Sequence, residues 1–380
     1  AKLPPAVPLL QQALSMDLVQ AGFLLSLVQL AGMTLGLVVG LSVDAVGLRR
    51  SMLAGLLLLS AASALGGLAS HVEHLLMLRA LEGLGFLCVV MPAPALIRRT
   101  VTPEQLSARL GLWGSYMPTG SAMALLLGPW VLLGFDWQVW WELLALCTLL
   151  AAGAVWRWVP APSQWPASSR APSAQHDGWR QRLSLTLRSP GPWWVSVCFA
   201  LYSSQWLAVI GFLPTVYAES GLSSTLAGAL TAGVALVNVA GNLGSGRLLQ
   251  QGWPPIRLLR IGFVCMAVGA AVAYGQVGEA ALPLPIRYGA VLIFSGCGGL
   301  IPATLFSCAV QLAPSEGTVS TTVGYMQQWS ALGQFGGPPL VAWVATWTGG
   351  WQWTWCVTAG LCTLGAWVAL RIQRTLARRA

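Results

Sequence analysis

The sequence predicts an all-α membrane protein, and three observations carry that prediction: scarce charge, long apolar runs and the placement of the arginines. Of 380 residues, 56% are hydrophobic and 8% are charged, where a soluble domain carries about 25% charged residues. So few charges cannot cover the outside of a water-soluble fold. One helix needs about 20 predominantly apolar residues to cross the hydrocarbon core. Eleven complete runs of that kind are present, approximately 19–41, 51–69, 75–97, 109–133, 137–158, 192–213, 224–249, 258–277, 286–309, 318–345 and 351–370. Ahead of them, residues 1–14 (AKLPPAVPLLQQAL) are rich in proline and too short to cross alone. With no initiator Met and no signal-peptide pattern, the chain is expected to start inside a truncated first helix, which makes twelve.

The arginines set orientation. Arg49, Arg50, Arg98, Arg99, Arg109, Arg157, Arg170, Arg180, Arg182, Arg188, Arg247, Arg257 and Arg260 fall in every second loop, and Arg371, Arg374, Arg378 and Arg379 in the tail. The intervening loops hold Asp17, Glu73, Asp136, Glu219 and Glu279 and no Lys or Arg. By the positive-inside rule the arginine loops and the C-terminus are expected to be cytoplasmic, in a plasma or bacterial inner membrane. The net charge of +9 is then a topology signal that also touches anionic lipid headgroups, not a nucleic-acid footprint. The polar segment 159–190, with five prolines, divides the spans six and six. The expected domains are a bundle over 1–158, a cytoplasmic linker over 159–190, a second bundle over 191–372 and a basic tail over 373–380. Such duplication is the build of many secondary transporters, with the solute site between repeats near mid-bilayer.

The other residue classes restrict the chemistry. All eight cysteines lie in apolar runs, with no CxxC or Cys/His cluster, and are expected to be small buried hydrophobes. Most of the 20 tryptophans, including Trp130, Trp137, Trp140 and Trp141, sit where interface anchoring explains them; Trp206 and Trp329 lie deep in spans and either line a cavity or pack. There are three histidines, and no HExxH, G-x-S-x-G or GxxxxGK[ST] motif occurs. No enzyme activity, metal or cofactor is therefore expected. A channel or receptor is the other rival, separated from a carrier by saturable, uphill flux.

The most specific local pattern is Gly40-Leu-Ser-Val-Asp44-Ala-Val-Gly47-Leu-Arg49-Arg50, in which glycines allow a tight turn and an acid at a helix end faces a basic pair. It resembles the G-x-x-x-D-x-x-G-x-R-R loop of the major facilitator superfamily. The resemblance implies that family's twelve-helix fold of two six-helix bundles, and a gating role for Asp44, Arg49 and Arg50. Arg79-Ala-Leu-Glu82-Gly83-Leu-Gly85 is similar to the family's fourth-helix motif, whose Arg is linked to proton coupling. The fifth helix reads Gly111 to Gly120 and then Gly128-Pro129; no Gly directly precedes Pro118, a departure from the antiporters' Gly/Pro motif that argues against drug antiport. The second-half counterpart, Gly241 to Arg247, lacks the Asp and the Arg pair. In layout the chain looks most similar to cyanate-like small-anion permeases.

Ionisable groups inside a bilayer are costly and are functional suspects. Five qualify: Lys2, Arg79, Glu82, Glu142 and Arg287. Arg79 and Glu82, three apart, share a helix face and either handle solute and proton or form a structural pair. Glu142 is a second proton-carrier candidate or an interface residue, and Arg287 is placed to snorkel. Lys2, the only lysine, falls near mid-membrane if the first helix ends near Leu10, where it would attract an anion; if the natural chain begins at Ala1, it lies outside. Gln29, Tyr116, Tyr202, Gln205, Trp206, Asn238, Asn242, Tyr325, Gln328, Trp329 and Gln334 are further polar or aromatic candidates for the solute cavity, with interhelical bonding as the alternative role. The Gly333 to Pro339 stretch is expected to bend during alternating access. The function predicted is proton-coupled transport of a small anionic solute by a carrier acting as a monomer; the alternative is proton-antiport export of a neutral or cationic drug-like compound.

Overall fold

The computed structural model of the chain describes residues 2–36, 39, 47–93, 96–97, 113, 116–160, 179–277, 280–315 and 318–378. Among these, a short helix α1 (Val7–Ala13) is followed by α2 (Leu18–Gly36), α3 (Leu48–Gly67), α4 (Val72–Val90), α5 (Tyr116–Gly134) and α6 (Trp137–Trp158). An amphipathic helix α7 (Trp179–Arg188) precedes α8 (Pro190–Glu219), α9 (Ser224–Gln250) and α10 (Pro255–Tyr274). The chain then forms α11 (Leu284–Leu312), α12 (Val319–Thr348) and α13 (Trp351–Ala377). The only strand pairing among the described residues is Gln276–Val277 with Ala280–Ala281 in the α10–α11 hairpin.

Each predicted span corresponds to one long helix. Nine of the eleven are long enough, and contain a stretch apolar enough, to cross a membrane by length and composition. The other two are α4, which carries Glu73, Arg79 and Glu82, and α12, rich in Ser, Thr, Gln and Gly. Arg79 and Glu82 of α4 and Gln328 and Gln334 of α12 are turned toward other helices, as the partners described below show, while Glu73 lies in the first turn of α4 and is exposed. Large apolar side chains are left outside: Leu57, Met77, Leu126, Trp130, Leu150, Trp156, Leu236, Ile293 and Trp347 are all exposed, as lipid requires.

Local chemistry sets the boundaries. Asp17 and Gln20 form a reciprocal capping box at the start of α2, with Gln20 N donating to Asp17 Oδ1 at 2.6 Å and Asp17 N to Gln20 Oε1 at 3.1 Å. Proline opens α8 and α10, where its missing N–H is no loss. Gly349 ends α12 in the left-handed region, φ 73°.

Successive helices alternate in direction, so one face carries the end of α6 and α7 (the linker face) and the opposite face carries the short turns α1–α2, α3–α4, α5–α6, α8–α9, α10–α11 and α12–α13 (the far face). The two six-helix bundles meet along two seams. In the α2–α12 seam a methyl built on Gly22 would lie 3.0 Å from Pro339 Cα, and one on Gly32 3.0 Å from Ala331 Cβ. In the α5–α9 seam, near the far face, a methyl on Gly228 would overlap the Leu125 carbonyl and reach within 2.5 Å of Pro129 Cγ. Toward the linker face Gly120 of α5 is exposed, and a methyl there meets nothing among the described residues. The α5–α9 seam is therefore closed at the far face. The Gly333 to Pro339 stretch, expected to bend, is helical throughout. Methyls on Gly333 and Gly337 would overlap the Ala200 and Ser204 carbonyls of α8, so both glycines serve close helix approach.

Candidate functional site

Three charged side chains converge inside the N-terminal bundle. Glu82 lies ten residues into α4, a rise of about 15 Å, near the middle of a core about 30 Å thick. Its Oε1 accepts from Lys2 Nζ and its Oε2 from Arg79 Nη1. All three residues are buried, Glu82 at 3% exposure and Lys2 and Arg79 at 7%. Lys2 Nζ also donates to Ser63 Oγ at 2.9 Å and stands 4.6 Å from the centroid of the Trp141 ring. Trp140 Nε1 donates to the Lys2 carbonyl at 2.9 Å, and Ser63 Oγ donates to the Trp141 carbonyl at 3.0 Å. Arg79 Nε reaches the Leu24 carbonyl of α2 at 3.3 Å, which links the cluster to a seam helix. Two basic groups thus face a single carboxylate in a desolvated setting.

The partners of Lys2 come from α3, α4 and α6, none of which forms a seam, so Lys2 points into the bundle interior. Trp140 and Trp141, which the sequence places among interface anchors, are buried at 4% and 1% exposure and hold Lys2 in place. Trp141 fits there because α3 presents Gly66; a methyl at that position would lie 2.8 Å from the indole Cδ1. Ser63 is also a part of the site that sequence reasoning missed. Gly83 and Gly85 are packing glycines: a methyl on Gly83 would overlap the Val28 carbonyl of α2, and one on Gly85 would lie 2.8 Å from the Gly55 carbonyl of α3.

A second cluster lies in the C-terminal bundle and unites four of the predicted residues. Asn238 Nδ2 donates to the Ser295 carbonyl at 2.8 Å and to the Tyr202 hydroxyl at 3.2 Å. Asn242 Nδ2 donates to Asn238 Oδ1 at 3.0 Å, and Trp206 Nε1 to Ser295 Oγ at 3.3 Å. Close approach of α9 and α11 at Gly241 and Gly299 makes this possible, since a methyl on either would overlap backbone of the other helix. Asn238 is the hub, so Asn238→Leu is expected to lower stability by about 1–2 kcal/mol, the range for interhelical polar bonds in model membrane helices. Asn242→Leu, at the edge, is expected to cost less; thermal unfolding of the detergent-purified variants checks the order.

Other candidates lie on the α2–α12 seam. Gln29 Nε2 donates to Gln334 Oε1 at 3.1 Å, Gln334 Nε2 to Ser330 Oγ at 3.2 Å, and Gln328 Nε2 to the Met33 carbonyl at 2.8 Å. Tyr325 and Trp329 form an edge-on cluster with Trp193, with centroids 5.2 Å (Trp193–Tyr325) and 5.6 Å (Trp193–Trp329) apart. The remaining predicted residues stand apart from these groups. Tyr116 packs with Trp113 and Phe86. Gln205 bonds its own helix at Leu201 and accepts from Cys362 Sγ at 3.1 Å. Glu142 is exposed on the bundle exterior, where the desolvation that would suit a proton carrier is not supplied by protein. Of the gating residues, Asp44 lies outside the described residues, Arg50 is exposed, and Arg49 Nη2 donates at 2.5 Å to the Trp156 carbonyl near the end of α6. A cation there complements the helix C-terminus.

Two helical bundles joined along paired seams, with charged and polar clusters buried at mid-depth in each, define a solute carrier of the secondary-transporter class. Residues 2–335 match the profile of the Major Facilitator Superfamily, and the chain belongs to that family. It is an integral membrane transporter, not an enzyme. It is 26% identical over 357 residues to the 2-nitroimidazole transporter of Escherichia coli (strain K12), across 92% of this chain and 84% of that protein. Among solved structures it resembles a bacterial homolog of the human lysosomal transporter Spinster in an inward-facing, occupied conformation, with TM-score 0.79, 15% identity, and 98% of this chain and 92% of that chain covered. It also resembles the transporter FucP in an outward conformation, with TM-score 0.67, 15% identity, and 97% and 93% covered.

Proposed function

We propose that this transporter moves a small anionic or acceptor-rich solute together with a proton, by alternating access between its two bundles. The observation that carries this reading is the pairing of two buried basic groups, Lys2 and Arg79, with the single carboxylate of Glu82. The excess basic group gives the middle of the N-terminal bundle a positive potential, and Arg79 carries it to α2 at the seam. Glu82 is the coupling group. A proton on Glu82 cancels the counter-charge of both cations, which raises affinity for an anion; by linkage the anion raises proton affinity equally. That sign favours co-transport over exchange. The relative that transports 2-nitroimidazole handles a small planar solute with a pair of acceptor oxygens, a shape and polarity consistent with the same chemistry. The arginine distribution places the linker face in the cytoplasm, the division into bundles falls at 159–190, and gating by Asp44, Arg49 and Arg50 follows from the first-loop motif.

The experiment is flux into proteoliposomes of purified protein, with an imposed proton gradient and radiolabelled 2-nitroimidazole or benzoate. Wild type is expected to accumulate one of them uphill and saturably. Lys2→Ala and Arg79→Ala are each expected to abolish that uptake while leaving insertion intact. Wild-type rates in both variants would overturn the reading.

A further inference from the structure

The far face of the C-terminal bundle holds a polar cavity, remote from the clusters above. Its volume is about 200 Å³, and it is walled by Glu219 at the end of α8, Tyr274 and Gln276 at the end of α10, Arg287 at the start of α11, and Trp351 and Gln352 at the start of α13. A carboxylate and a guanidinium line the same small space, yet they do not pair; among the described residues both ion pairs are made by Glu82. Each charge is tethered sideways instead. Glu219 Oε2 accepts from Trp351 Nε1 at 2.8 Å, and Arg287 Nε donates to the Ala273 carbonyl at 2.8 Å. Among the described residues, these tethers leave one Glu219 oxygen and the terminal nitrogens of Arg287 without a protein partner. Trp351 itself is buried, packed against Phe212 with ring centroids 5.2 Å apart.

Two opposite charges held apart in one cavity are complementary to a ligand that carries both. We propose that this cavity binds a small zwitterion, its anionic group on the Arg287 fork and its ammonium on Glu219 beside the Trp351 indole. A guanidinium fork suits a carboxylate or phosphate, and a carboxylate suits an ammonium. The space equals about seven water volumes at ~30 Å³ each, which admits an amino-acid-sized molecule. The same chemistry is offered by a free amino acid and by the ethanolamine phosphate headgroup of a membrane lipid. Either occupant ties the end of α8 to the α10–α11 hairpin and to α13.

The test uses the full chain, purified in detergent, with isothermal titration of β-alanine and O-phosphoethanolamine, and acetate and methylamine as half-ligands. A parallel arm measures retention of phosphatidylethanolamine against phosphatidylglycerol in mixed nanodiscs. Saturable binding of a soluble zwitterion, or selective retention of phosphatidylethanolamine, is expected. It is expected to weaken about tenfold or more, at least 1.4 kcal/mol, in E219Q and in R287Q, with R287K recovering part of the loss. Glu219 is exposed, so E219Q keeps the test informative even if R287Q misfolds. Binding of the soluble zwitterion with phosphatidylethanolamine ignored identifies a free ligand; the converse identifies the lipid. No saturable or selective binding by any of these, acetate bound as tightly as β-alanine, or affinity unchanged in E219Q would overturn the proposal.

Discussion

Glu82→Gln is expected to destabilise the folded protein by roughly 3–5 kcal/mol, the usual cost of removing one partner from a buried ion pair. The cost is at the upper end because one carboxylate serves two cations. Its loss leaves Lys2 and Arg79 at 7% exposure with no counter-charge, and none of their other acceptors, Ser63 Oγ, the Leu24 carbonyl and the Trp141 ring, is ionised. Lys2→Met is expected to behave differently. It removes the surplus cation, keeps the Arg79–Glu82 pair three residues apart on α4, and fills the space over Trp141 with an apolar chain of similar length, a change that is often near neutral for stability. The double variant Lys2→Met/Glu82→Gln leaves one unpaired cation rather than two and should recover part of the single-mutant loss, a coupling that a double-mutant cycle measures directly. Thermal unfolding in detergent checks the order wild type, Lys2→Met, double variant, Glu82→Gln. Glu82→Gln as stable as wild type would show that the cluster is not held by charge. Uptake separates stability from function, since Lys2→Met is expected to fold yet lose uphill accumulation of an anionic solute.

The same cluster shows what was legible in the sequence and what was not. The eleven spans were readable because run length and apolarity are local properties, and α4 and α12, the two most polar, were still bounded by loops and glycines. The depth of Glu82 followed from counting residues along one helix. Its partnership with Lys2 could not be counted, because 80 residues and two helix crossings separate them. Trp140 and Trp141 show the limit most plainly. A tryptophan in the first turns of a span has the position of an interface anchor, and only the arrival of the Lys2 carbonyl from 138 residues away distinguishes a buried clamp from an anchor. Glu142 shows the same limit from the other side: five residues inside a span is a depth, but which side of the helix faces lipid depends on what α3 and α5 cover. Asn238, Asn242, Tyr202 and Trp206 were individually visible as polar or aromatic residues in apolar runs. Their assembly into one network depended on Gly241 and Gly299 bringing two backbones together, a tertiary contact with no signature beyond the glycines themselves.

Those glycine contacts separate two mechanical roles, and valine substitutions are expected to tell them apart. Gly241→Val places a side chain against the Gly296 carbonyl, backbone against backbone within one bundle. No rotamer change in a neighbour relieves that overlap, and moving α9 from α11 breaks the Asn238–Ser295 bond as well. A loss of about 1–3 kcal/mol from overpacking, plus the loss of that bond, is expected, read as a lower unfolding temperature and poor expression. Gly228→Val also overlaps its neighbours, the Leu125 carbonyl and Pro129, but these lie across the α5–α9 seam in the other bundle. Rocking the bundles apart at the far face relieves it without disturbing either interior. The expected result is near-normal stability with the far face shifted toward the open state, since a strain present in one conformation alone moves the population by its full value. Spin labels at Asp136 and Ser224, in a background cleared of native cysteines, should report a longer mean distance for Gly228→Val and an unchanged one for wild type. An unfolded Gly228→Val protein, or an unaltered distance distribution, would mean that the seam is part of a rigid core and that the bundles do not part there. A lengthened distance with intact folding would identify the α5–α9 contact as the place where the far face closes, and would predict slowed net flux in both directions, because a carrier held on one side cannot complete its cycle.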